Sequence, residues 1–109
     1  MGLHEECWVL YVLGQAEELL CKPEKIILFG SQAYGHPTSD SDIDLMVVMP
    51  YSGSPLHKAG EILRRLQVWM PVDIIVRSAE DIERRLQLGD RFIQEILARG
   101  EVMYDAANG

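Results

Sequence analysis

The chain has 109 residues, 48% of them hydrophobic and 25% charged, with a formal net charge of −7. That balance suits one globular domain over residues 1–109 and leaves no room for a second. The acidic excess argues against a sequence-independent DNA or RNA binder, which needs a basic face to neutralise phosphates.

Residues 3–21 are expected to form a helix, with Leu3, Cys7, Leu10, Leu13 and Leu20 recurring at steps of three and four until Pro23 stops it. Lys25 to Phe29 is a short apolar run ending at Gly30, the pattern of a buried strand. Gly30 to Gly35 is a small-residue turn, and His36 to Ser41 a polar loop. Ile43 to Met49 is a second strand, closed by Pro50. Pro55 suits the first turn of a helix reaching about Trp69, with Ile62, Leu66 and Trp69 on one face. Val72 to Val76 is a third strand. Ser78 caps a helix to about Leu88, and Asp81 stands where a capping box prefers Glu or Gln. Gly89 breaks that helix, and Asp90 caps the last one, through Ala98, with Phe92, Ile96 and Leu97 expected to face inward. Glu101 to Tyr104 is a final strand. The order predicts an α/β domain, a small mixed β-sheet packed with helices.

No apolar run reaches the length of about 18 residues that a membrane span needs, and nothing resembles a signal peptide. Cys7 and Cys21 are the two cysteines. Both are expected to be free thiols in a reduced, cytoplasmic setting.

The carboxylates carry the chemistry. Asp42 and Asp44 are two apart at the head of an apolar strand, so alternation points both to one face. Like charges that close repel, and a cation between them relieves it. Asp73 is the sole charged residue in the Val72–Val76 strand. If the two strands are neighbours, Asp73 joins the pair. Three carboxylates then form a hard oxygen cage suited to Mg²⁺ or Mn²⁺. Taken singly, each aspartate also fits a solvated loop or an edge strand, although strand interiors are poor in Asp.

Gly30-Ser31 follows the first strand directly. A strand ending in glycine and turning into a helix leaves backbone N–H groups able to meet an anion. Alone, that is a common turn. In combination, the stretch Leu28 to Leu45 reads Gly-Ser, ten residues, Asp-x-Asp, with apolar flanks.

That combination resembles the signature of the nucleotidyltransferase superfamily that includes DNA polymerase beta. Within it the chain looks like the minimal nucleotidyltransferases, the MNT or MntA-like antitoxins paired with HEPN-domain toxins. The likeness extends to the Asp73 strand, to Ala79–Arg85 and to Ile96–Tyr104. It implies a polymerase beta palm-like fold. It also implies that Gly30 and Ser31 hold the NTP β- and γ-phosphates, and that Asp42 and Asp44 bind two Mg²⁺ ions. Asp73 would bind the catalytic metal and help deprotonate the attacking hydroxyl. The family often has arginine where this chain has Gln32 and Tyr34, a departure that leaves the metal ligands untouched.

The activity this implies is transfer of AMP from ATP to a tyrosine of a HEPN-domain ribonuclease toxin, the partner supplying the acceptor. No direct nucleic-acid contact and no membrane are expected. Two other readings are a small-molecule transferase of the aminoglycoside type and an antitoxin that acts by complex formation alone. A missing second domain counts against the first, and the intact Asp42, Asp44 and Asp73 count against the second.

Overall fold

The structure, a computed structural model, describes residues 23–30, 43–65 and 72–107. They form β1 (Lys25–Phe29), β2 (Ile43–Val48), α1 (Pro55–Arg65), β3 (Val72–Arg77), α2 (Ala79–Gln87), α3 (Arg91–Arg99) and β4 (Glu101–Asp105). The helix expected over residues 3–21 lies outside the described residues, as do the turn expected from Gly30 to Gly35 beyond its first residue, the loop expected from His36 to Ser41 and the end of the helix expected from Pro55 beyond Arg65.

The described strands make one mixed sheet in the order β3-β2-β1-β4. Strand β1 runs antiparallel to both β2 and β4, while β2 and β3 are parallel. A parallel pair needs a crossover of a dozen or more residues, and the stretch containing α1 supplies it.

Each strand divides its side chains between the two faces by alternation. One face collects Ile26, Leu28, Ile43, Leu45, Val47, Ile74 and Val76 against Ala59 and Ile62 of α1. The other collects Ile27, Phe29, Met46 and Val48 against Ile93 and Ile96 of α3, with Ile82 and Leu86 of α2 at its margin. Because β1 and β2 have helices on both faces, they read as nearly continuous apolar runs.

Register between β1 and β4 shifts at Ile26/Ile27, where the partners pass from Tyr104 to Val102. The extra residue is Met103. This bulge lets Met103 and Tyr104, neighbours in sequence, both pack on the α1 face. Gly100 joins α3 to β4 where space is short. A Cβ there would lie 2.7 Å from Ile27 Cγ2 and 3.1 Å from the Leu28 carbonyl, and would overlap the Ile96 carbonyl.

Both helix caps read from the sequence form. The Ser78 hydroxyl accepts from the Asp81 N–H at 3.1 Å, and Asp90 Oδ1 accepts from the Ile93 N–H at 3.2 Å. Gly89 has φ 79°, which turns the chain between α2 and α3. Asp81 does more than cap. Its carboxylate receives the Tyr51 hydroxyl at 2.5 Å and an ion pair from Arg84, tying the loop after β2 to the start of α2. The hydroxyl proton from Tyr51 holds the Asp81 carboxyl below the ordinary aspartate range, and the same bond pushes the Tyr51 hydroxyl up.

One expectation is corrected. Phe92 and Leu97 do not face inward: they are 51% and 41% exposed, while Ile93 and Ile96 are each 1% exposed. The buried stripe of α3 is centred on Ile93 and Ile96. Phe92 and Leu97 lie about 70° to either side of its centre.

Candidate active site

The pairings align β1, β2 and β3 into cross-strand rows. Asp73 pairs with Asp44, and Asp44 with Phe29. Ile75, Met46 and Ile27 form the next row, and Arg77, Val48 and Lys25 the one after. These positions share the face that carries α2 and α3. The hydrophobic cluster fills the middle of that face, and the aspartate row lies at one end of it. Asp44 is partly buried and Asp73 is exposed.

The condition set by the sequence is therefore met for two of its three carboxylates. Strands β2 and β3 are neighbours, and Asp44 and Asp73 are direct partners in register. Adjacent strands stand about 4.8 Å apart, which places two hard oxygen donors side by side with water access on the Asp73 side. Such a pair fits a small divalent cation, which takes one or two carboxylates and keeps several waters. Among the described residues no group of three or more His, Cys, Asp or Glu side chains could hold a metal ion. Asp42 lies outside the described residues.

Gly30 ends β1 beside this row, with φ 79°. Only glycine adopts that conformation without strain. It has a second reason to be glycine. A Cβ there would lie 3.2 Å from Asp44 Cγ and 3.5 Å from Asp44 Cβ, and would overlap Oδ2. The bare Cα of Gly30 is thus the space that the Asp44 carboxylate occupies. In the sequence Gly30 points only to close phosphate approach; its steric role is not legible there, because the contact joins residues 14 positions apart. Ser31 lies outside the described residues.

Phe29 closes the row on the side away from Asp73. Its ring meets that of Phe92 edge-to-face, with centroids 5.8 Å apart and planes at 84°. Nothing in the sequence marks Phe92 as bordering the carboxylates, since one aromatic on an amphipathic helix ordinarily reads as core.

The described residues thus join a mixed α/β sheet to a positive-φ glycine turn and two in-register carboxylates at one end. The chain belongs to the family "Polymerase beta, Nucleotidyltransferase", whose model matches residues 16–108. Members of that family generally use a nucleoside triphosphate and a divalent metal. No curated protein and no solved structure matches the chain. Among the described residues no helix is long and apolar enough to cross a membrane.

Proposed function

We propose that this nucleotidyltransferase is a cytoplasmic antitoxin of the minimal nucleotidyltransferase type, which transfers AMP from ATP to a tyrosine hydroxyl of a HEPN-domain ribonuclease toxin. The observation that carries the transfer chemistry is the Asp44–Asp73 register beside Gly30. The resemblance of the Gly30–Asp44 stretch to the minimal nucleotidyltransferases supports the partner and the acceptor.

In this reading Asp42, Asp44 and Asp73 would hold two Mg²⁺ ions, or Mn²⁺ in their place, which when bound would neutralise phosphate charge and lower the pKa of the acceptor hydroxyl. The turn at Gly30 and Ser31 positions the β- and γ-phosphates through backbone N–H groups and the Ser31 hydroxyl. Asp73, on the open side of the row, takes the proton from the tyrosine hydroxyl. The tyrosine oxygen bonds to the α-phosphorus, the bond from that phosphorus to the bridging oxygen breaks, and pyrophosphate leaves. Positioning and charge neutralisation do most of the work. The added AMP blocks the toxin by bulk and negative charge.

The test is intact-mass spectrometry of a HEPN-domain partner after incubation with this chain, ATP and Mg²⁺. The expected result is a gain matching AMP on a partner tyrosine. Asp73→Asn should lower it roughly a hundredfold or more, with a metal-free thermal midpoint no lower than the wild type's because Asp73 is exposed. Tight complex formation with no mass gain would defeat the transfer reading.

A further inference from the structure

We infer that Phe92 is the platform on which the nucleobase of the bound nucleoside triphosphate stacks, so that α3 supplies a nucleotide-binding residue outside the Gly-Ser and Asp-x-Asp elements. The inference deepens the proposed function and rests on it for the position of the phosphates.

Phe92 contributes less to the core than its neighbours on the same helix. Ile93 and Ile96 are each 1% exposed, whereas Phe92 keeps 51% of its surface in water. A lone exposed apolar residue needs no explanation. This one is not placed at random. It packs edge-to-face on Phe29, 5.8 Å between centroids, and Phe29 is the direct cross-strand partner of Asp44. One ring contact and one cross-strand pair thus link Phe92 to the position of Asp44, so a nucleoside with its α-phosphate at the carboxylates has an aromatic surface adjoining it.

The row also has a direction. Asp73 and Asp44 occupy one side, and Phe29 with Phe92 the other. Metal and phosphates belong over the acids. The adjoining aromatic side offers a base an apolar ring surface. Contact with Phe29, itself only 9% exposed, restrains the Phe92 ring, so little side-chain entropy is lost on binding. Stacking on an aromatic ring is worth about 1–3 kcal/mol per base and tolerates any base, since every base has a π-face.

The test is isothermal titration of the full chain with ATP, UTP and inorganic tripolyphosphate in the presence of Mn²⁺. Phe92→Ala and Phe92→Leu should each weaken ATP binding about 5- to 150-fold, and ATP more than UTP. Both should leave tripolyphosphate affinity unchanged. Phe92→Tyr should bind ATP as the wild type does. Phe92→Leu keeps an apolar side chain on Phe29, and an unchanged thermal midpoint separates lost stacking from lost packing. ATP affinity unmoved by both variants overturns the inference, and so does an equal loss for tripolyphosphate. It is also overturned if nucleotide binding is intact and only a protein partner is lost, which would make Phe92 a docking residue. Binding is read without turnover. A Phe92-dependent ATP affinity in a chain that transfers nothing therefore overturns the transfer reading and supports this one.

Discussion

Replacing Gly30 with alanine separates the two reasons for glycine at that position. The first is conformational: at φ 79° an L-residue is strained, by about 1–2 kcal/mol. The second is steric: the new methyl would sit 3.2 Å from Asp44 Cγ and inside the space of its Oδ2. What it meets is the free end of a side chain, so the carboxylate yields and the fold survives. Gly89 provides the control, with the same φ of 79° and nothing within 4 Å of an added Cβ. Gly89→Ala and Gly30→Ala should therefore lose similar stability. For a domain of this size 1–2 kcal/mol lowers the thermal midpoint by roughly 5–15 °C. They should differ in chemistry. Gly89→Ala should keep wild-type transfer and Mn²⁺ affinity. Gly30→Ala, with Asp44 turned away from Asp73, should lose roughly a hundredfold in transfer rate and bind Mn²⁺ at least about tenfold more weakly. The assays are thermal melting, Mn²⁺ titration and pyrophosphate release on the same preparations. Gly30→Ala with activity and Mn²⁺ affinity within about threefold of Gly89→Ala would refute the reasoning.

Gly100→Ala should be more damaging to stability than either, because its methyl meets the Ile96 and Leu28 carbonyls and Ile27; overpacking against backbone costs about 1–3 kcal/mol or more, read as a lower denaturant midpoint with unchanged slope. Ser78→Ala removes the acceptor for the Asp81 N–H and should cost about 1 kcal/mol in the same measurement. The Tyr51–Asp81 bond lowers the carboxyl's pKa and raises the hydroxyl's. Its Asp81 contribution should be fully present above about pH 4 and lost as pH falls through the depressed folded value. Its Tyr51 contribution should be present below about pH 10 and lost as pH rises toward the raised one. Melting curves across pH should show Tyr51→Phe without the alkaline fall and with a shallower acid one; parallel wild-type and variant curves would count against the pairing. Mg²⁺ or Mn²⁺ at a hundred times its dissociation constant should stabilise the chain by about 2.7 kcal/mol, a chelator should remove that gain, and Asp73→Asn should show little of it.

Much of the fold was legible because its signals are local. Lys25–Phe29 and Val72–Val76 are apolar runs bounded by Pro, Gly or Ser, and the strands fall there, β3 running one residue longer to Arg77. Ser78 and Asp90 announced their helices through capping chemistry that involves only the next three residues. Family membership was legible for a different reason: the Gly-Ser and Asp-x-Asp elements keep a fixed separation that chance seldom supplies. Non-local pairing was not legible. Alternation could place Asp73 on a face, but only the parallel β2–β3 pairing puts it opposite Asp44. The bulge at Met103 depends on β1, some 75 positions earlier. The facing of Phe92 failed because Phe92, Ile93, Ile96 and Leu97 are all apolar, and periodicity alone cannot choose the centre of so broad a stripe.

Strand β3 lies at the edge of the sheet that the described strands form, and that position offers a purely structural account of Asp73. Edge strands carry charges that discourage pairing with another chain, and β3 has Asp73 near one end and Arg77 at the other. A guarding charge, however, can have either sign, and Arg77 shows that this strand accepts a cation. At Asp73 the direct partner is Asp44. Like charges directly opposite each other destabilise a strand pair, and opposite charges stabilise it. Selection for edge protection alone would favour lysine or arginine there, giving the guard and an attractive cross-strand pair together. Aspartate is the choice that gives up this gain, and a cation shared between the strands would offset the loss. Gly30 points the same way from the other flank, since a residue that leaves room for a carboxylate has no bearing on the edge of β3. Gly30 after β1 and Asp73 on β3 thus both adjoin one carboxylate, Asp44, and that convergence is what the proposed site rests on.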